Sequence, residues 1–342
     1  MIGPVNKIFY SMKKRFSFKV GALALGVLAL ASCAKNKEVD PSITNIAVTN
    51  PDFQVLEDAA IRGDVAVLLG NANADPASGG KFTVFAPNNA AFARLGLNSA
   101  QDLTVLQQPF LRSTLLYHVF SGSLPGSALT SGNKSASALG GLTRRIIRRA
   151  DGNVYVNGSK ILGIDVQAAN GLVHPIDKVL LATGGNIVQS AQALQTGQVF
   201  VMPELTFLVA AVVKCNLAGA LSAAGPYTVF APTDKAFIDA GIPSVDAINN
   251  MTPAQVQGLP TILLNHVLVN SAGASLGDKF TTELPEGSTV MALGGKPLQL
   301  GAFTNGVLTV KGASNAAPAT MVIPDVQCTN GVVHVIDRVL LP

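Results

Sequence analysis

The four histidines of this 342-residue chain recur in two pairs, His118 with His174 and His266 with His334. Two imidazoles begin a zinc site, which also needs a third ligand and, for catalysis, an open position. Asp177 and Asp337, each three residues beyond the second histidine of its pair, supply that ligand by type. On a strand, however, positions three apart face opposite sides. The other chemistry is structural: a buried ring that hydrogen-bonds a backbone carbonyl and pins a loop to the core. The spacing favours this second reading, and no metal or cofactor is expected.

Other residues raise sharper possibilities. Arg62-Gly63-Asp64 spells the integrin-binding tripeptide, which needs an exposed loop tip. Its place at the end of a helical pattern makes Gly63 a helix terminator instead. Arg144-Arg145-Ile-Ile-Arg148-Arg149 concentrates four charges on an expected strand. That run reads either as a contact for acidic polysaccharide or lipid headgroups or as a charged edge strand that discourages association. Cys215 and Cys328 have a disulfide open to them in an exported chain, against burial as two separate small apolar side chains. No phosphate loop, nucleophile elbow or Cys-x-x-Cys is present, and Asp177, Asp234 and Asp337 stand without partners for acid–base work. An enzyme is not expected.

The elements that must position these residues occur twice. Apolar residues at helical spacing over 53–69 place Leu56, Ala59, Ala60, Val65 and Leu68 inward. Phe82–Pro87 reads as a strand stopped by proline, with Asn88 or Asn89 capping the next helix. Short strands follow through 121–169, and Asn170–Leu181 closes the unit with an Asn-Gly turn and an apolar strand. Tyr227-Thr-Val-Phe-Ala-Pro232 repeats Phe82–Pro87 at an offset of 227 − 82 = 145. The pair ending in His266 repeats that ending in His118 at 266 − 118 = 148, and the closing strand repeats at 330 − 170 = 160. The last offset grows by 12, so the second unit carries longer hairpins before its closing strand. The expected boundaries are 43–183 and 184–342, joined by the short linker Thr183-Gly-Gly-Asn186.

The N-terminus reads as an address. Lys13-Lys14-Arg15 precedes an apolar run from Phe16 to Leu30, too short for a comfortable membrane span. Leu30-Ala31-Ser32-Cys33 resembles a bacterial lipobox, which makes 1–32 a signal peptide, Cys33 the lipidated residue and 33–42 a tether. Five basic residues and no acid precede Cys33, leaving 24 − 5 = 19 basic against 20 acidic residues, a net of −1. Nucleic acid is therefore not indicated as a partner.

Three motifs, found in order in both units, resemble the fasciclin (FAS1) domain. They are Thr-Val-Phe-Ala-Pro-x-x-x-Ala-Phe (Thr83–Phe92, Thr228–Phe237), the pair Tyr117-His118, and Asn-Gly-x-x-His-x-Ile-Asp-x-Val-Leu-Leu (Asn170–Leu181, Asn330–Leu341). The resemblance implies an α+β fold, two tandem domains that each set a β-wedge or sandwich against a helical layer. It also implies non-catalytic cell adhesion to a matrix or macromolecular partner, with Tyr117 and His118 as candidate contact residues. His266 carries this over only in part, because Asn265 stands where the first unit has Tyr117. His174, Asp177, His334 and Asp337 belong to the closing motif. The alternatives are a lipoprotein that captures polysaccharide or a small ligand, and a scaffold within an envelope complex. The chain has no Trp and four Tyr, which is thin for sugar stacking.

Overall fold

Strand Phe82–Pro87 has no polar face: all six residues are buried. A strand of this kind must be covered on both sides. The computed structural model, which describes residues 40–136, 142–195, 204–270 and 276–342, shows what covers it. Cys33, the segment 1–32 and most of the tether lie outside the described residues.

In the first repeat the helices are α1 (Ile43–Thr49), α2 (Gln54–Arg62), α3 (Ala66–Gly70), α4 (Asn89–Ala93) and α5 (Gln108–Tyr117). The strands are β1 (Phe82–Pro87), β2 (Val119–Ser121), β3 (Gly132–Ala136), β4 (Thr143–Arg148), β5 (Val154–Val156), β6 (Ser159–Lys160), β7 (Val166–Ala168), β8 (Gly171–Ile176) and β9 (Leu181–Ala182). One sheet runs β2-β1-β8-β7 and another β3-β4-β5-β6. Strands β1 and β8 are parallel, Phe82 opposite Gly171 through Pro87 opposite Ile176. Alternation along β1 then divides the core. Phe82, Val84 and Ala86 pack with Phe53, Leu111 and Leu115 of the helical layer. Phe85 points the other way, among Ile146, Val156 and Ile176.

The second repeat follows the same plan. Its helices are α6 (Ile187–Gln195), α7 (Thr206–Lys214), α8 (Ala218–Ser222), α9 (Asp234–Asp239), α10 (Val245–Asn249), α11 (Pro253–Val256) and α12 (Leu259–Leu264). Its strands are β10 (Tyr227–Pro232), β11 (Val267–Val269), β12 (Thr289–Met291), β13 (Pro297–Leu300), β14 (Thr309–Gly312), β15 (Ala319–Cys328) and β16 (Gly331–Ile336). Here the strands join in one sheet, β11-β10-β16-β15-β14-β13-β12. The ten-residue β15 carries the join, pairing with β16 along one part and with β14 at its start. Strand β9, the end of the first repeat, lies parallel to β15, Leu181 opposite Val326 and Ala182 opposite Gln327. The repeats therefore share a sheet edge.

Two expectations need correction. The helical pattern over 53–69 is broken between α2 and α3, so Leu68 is 38% exposed and Leu69 is buried in its place. Gly63 ends α2 as its C-cap, with φ of −79°, and the positive φ falls on Asp64. A Cβ there would stand 2.8 Å from Leu115 Cδ1 and 3.1 Å from the Ala59 carbonyl oxygen, so a side chain would have to displace Leu115. Ser42, assigned to the tether, caps α1 by accepting from the Asn45 N–H.

Candidate functional site

The four histidines share one design. His118 follows α5, where its Nδ1 lies 2.7 Å from the Thr114 carbonyl while the Leu180 N–H donates to Nε2 at 2.8 Å. His266 repeats this with the Ile262 carbonyl and the Leu340 N–H. A carbonyl only accepts, so Nδ1 carries the proton in both rings. His174 on β8 and His334 on β16 use the other tautomer: Nε2 donates to Leu124 and Lys279 carbonyls, and Nδ1 accepts from Asp165 and Asp325 N–H groups. Every ring nitrogen is thus engaged by backbone, and all four rings are at most 2% exposed. Burial pulls His118 and His266 down to about 4, and lowers His174 and His334 as well. No nitrogen is left for a metal, and among the described residues no group of three His, Cys, Asp or Glu could hold one.

The motif carboxylates are occupied too. Asp177 accepts from the Lys160 N–H and the Ser159 hydroxyl, and Asp337 from the Thr320 N–H. Cys215 and Cys328 are free thiols, Cys215 half-buried and Cys328 buried, so of the two readings the separate side chains are the one seen. Cys328 is buried and pushed up to about 11, so it is protonated and unreactive at neutral pH.

Tyr117 is fully buried, and its hydroxyl bonds Gln327 of the second repeat and Asn157. Tyr117, His118 and His266 therefore offer no direct surface for a partner. Tyr155 is 4% exposed, and among the described residues the aromatic side chains are buried or half-buried. The Arg-Gly-Asp tripeptide is also engaged. Arg62 holds the Thr104 and Leu106 carbonyls at 2.9 and 3.0 Å, and Asp64 pairs with Arg112.

What the sequence concealed is the purpose of the arginine run. Strand β4 lies inside its sheet rather than at an edge, so the edge-strand reading fails, and Arg144, Arg145 and Arg149 are engaged within the protein. Arg144 is 1% exposed, donating to the Tyr117 and Val119 carbonyls with its guanidinium over the Tyr117 ring. Arg145 crosses to the second repeat and pairs with Asp278 at 2.6 Å and Glu283 at 2.7 Å, over the Phe280 ring. Arg149 reaches Glu286 and stacks on Phe303 at 4.3 Å. Beside them Lys178 and Asp325, both 7% exposed, meet at 2.6 Å, with Thr281 also bonded to Asp325. Gly158 makes this approach feasible: its φ is +83°, and a Cβ would lie 2.3 Å from the Asp325 carboxylate. The residue types were visible in the sequence, but the ion-pair partners of Arg145, Arg149 and Lys178 lie 130 or more positions away. A polar cleft of about 460 Å³ opens along the seam, lined by Thr143, Arg145, Asp278, Gln327 and Asn330.

Comparison with known proteins agrees with the internal repeat. The chain is 30% identical over 263 residues to transforming growth factor-beta-induced protein ig-h3 of Sus scrofa, covering 77% of this chain and 35% of that relative. It is 27% identical over 271 residues to human periostin, covering 77% of this chain and 28% of that protein. Cell surface glycolipoprotein MPB83 of Mycobacterium bovis is 34% identical over 107 residues, 31% of this chain and 46% of its own. The chain thus spans about a third of the first two relatives. A solved FAS1 domain pair from the insect cell adhesion molecule fasciclin I covers 87% of this chain and 96% of its own, at TM-score 0.38 and 17% identity. The fasciclin domain sequence profile matches residues 54–182 and again 203–342. With both repeats matched in full order, the chain belongs to the fasciclin domain family.

Proposed function

We propose that this chain is a non-catalytic adhesion protein of the cell envelope, tethered by lipid on Cys33 to the outer membrane and holding a macromolecular or matrix partner on the surfaces of its paired domains. The observation that carries the reading is the engagement of every motif histidine by backbone, which leaves the motifs to build a scaffold rather than a reaction site. The ionic seam supports it further, because two domains fixed to each other present one continuous surface to a partner. Among the described residues no helix is long and apolar enough to cross a membrane. The name of one relative, a cell surface glycolipoprotein, fits that address.

The test is protease shaving and pull-down on intact cells expressing the protein. Loss of the domains to external protease, with a matrix or cell-surface partner recovered, supports the adhesin. Protection, with an envelope protein or glycan recovered instead, moves the function to a periplasmic scaffold. A second reading, capture of a polysaccharide or small polar ligand, is favoured by the 460 Å³ seam cleft alone.

A further inference from the structure

The two repeats solve one problem differently. In the second repeat, the outer side of β15 at Val326–Gln327 is covered by β9 of the first repeat. Leu181 lies over Val326, which is 1% exposed, and the Thr183 N–H donates to the Gln327 carbonyl at 3.2 Å. Lys178, three residues before Leu181, pairs with Asp325. The Gly185 carbonyl closes the end of the edge by accepting from the Thr329 N–H.

The first repeat carries the same edge at the offset of the closing motif. Asp165, Val166 and Gln167 correspond to Asp325, Val326 and Gln327, since 325 − 165 = 160. The local geometry is repeated as well. Asp165 and Asp325 have φ of 57° and 65°, each gives its N–H to the motif histidine, and each accepts a backbone N–H on Oδ1. The Pro41 carbonyl accepts from Ala169 as Gly185 does from Thr329. Yet β7 is the last strand of its sheet, and among the described residues no strand covers it and no basic side chain pairs with Asp165. Val166 is 39% exposed, and Leu162 and Ile164, outward at alternate positions, are 49% and 56% exposed. An open edge with an apolar stripe is a template for an added strand.

We propose that the β7 edge of the first repeat binds an extended segment of a partner polypeptide by parallel strand addition. The partner places an apolar side chain over Val166 and, three residues earlier, a Lys or Arg against Asp165. The filled edge of the second repeat specifies this chemistry, because Leu181 and Lys178 are its working example. The inference deepens the adhesive reading by naming the kind of partner, and it rests on that reading only for its biological setting.

The probe is a labelled peptide with the sequence of residues 177–183, Asp-Lys-Val-Leu-Leu-Ala-Thr, titrated into the full protein by fluorescence anisotropy. Saturable binding is expected, weakened at least tenfold by Val166→Lys and by replacing the peptide lysine with glutamate. The peptide change leaves the protein untouched, so a misfolded variant cannot mimic the result. Absence of saturation at millimolar peptide overturns the proposal, as does binding indifferent to both changes. Peptide binding without any partner on cells sinks the adhesive reading alone; partner capture without peptide binding sinks the edge alone.

Discussion

Acidification tests the histidine assignment most directly. Protonating His118 would set a new N–H at Nε2 against the Leu180 N–H, and protonating His266 would do the same against Leu340. Both rings are held near 4 in the folded protein by burial, against an ordinary value of 6.5. Between those values the unfolded chain binds more protons than the folded one. Stability is therefore full above pH 6.5 and falls as the pH drops toward 4. At pH 5 the linkage amounts to roughly 2 kcal/mol for each ring, so about 4 kcal/mol for the two. That is a large share of a typical net stability of about 5–15 kcal/mol. Urea unfolding at pH 7 and pH 5 measures it, in the wild type and in the double variant His118→Gln/His266→Gln. The variant is expected to be weaker at pH 7 but to lose far less between the two pH values. A wild type that loses under about 1 kcal/mol over this window, or a variant with an undiminished slope, would refute the tautomer and burial argument.

The seam yields further expectations. Asp325→Asn leaves Lys178 buried without its counter-charge and should cost about 3–5 kcal/mol by urea unfolding. Gly158→Ala drives a Cβ into the Asp325 carboxylate and should cost about 3 kcal/mol, unless the seam opens, in which case calorimetry resolves two transitions instead of one. Arg145→Ala removes the links to Asp278 and Glu283, and the same calorimetric splitting is the expected result. Added Zn²⁺ should leave Tm unchanged, because no histidine nitrogen is available to it.

Much of this protein was legible from local pattern. The repeat, the buried strands Phe82–Pro87 and Tyr227–Pro232 and a cap at Asn88 or Asn89, of which Asn88 is the one used, follow from hydrophobic period and turn chemistry, which act over a few residues. Tertiary structure decided the rest, where the same residue type has opposite fates according to what lies across a gap. Arg144 looked like surface charge and is buried beneath Tyr117; Arg145 and Arg149 looked like its equals and became the clamps between domains. Val166 and Val326 occupy equivalent places in equivalent motifs, yet one is open and the other covered by β9. Short-range sequence sets which strand forms, but burial and charge pairing depend on which distant segment packs against it.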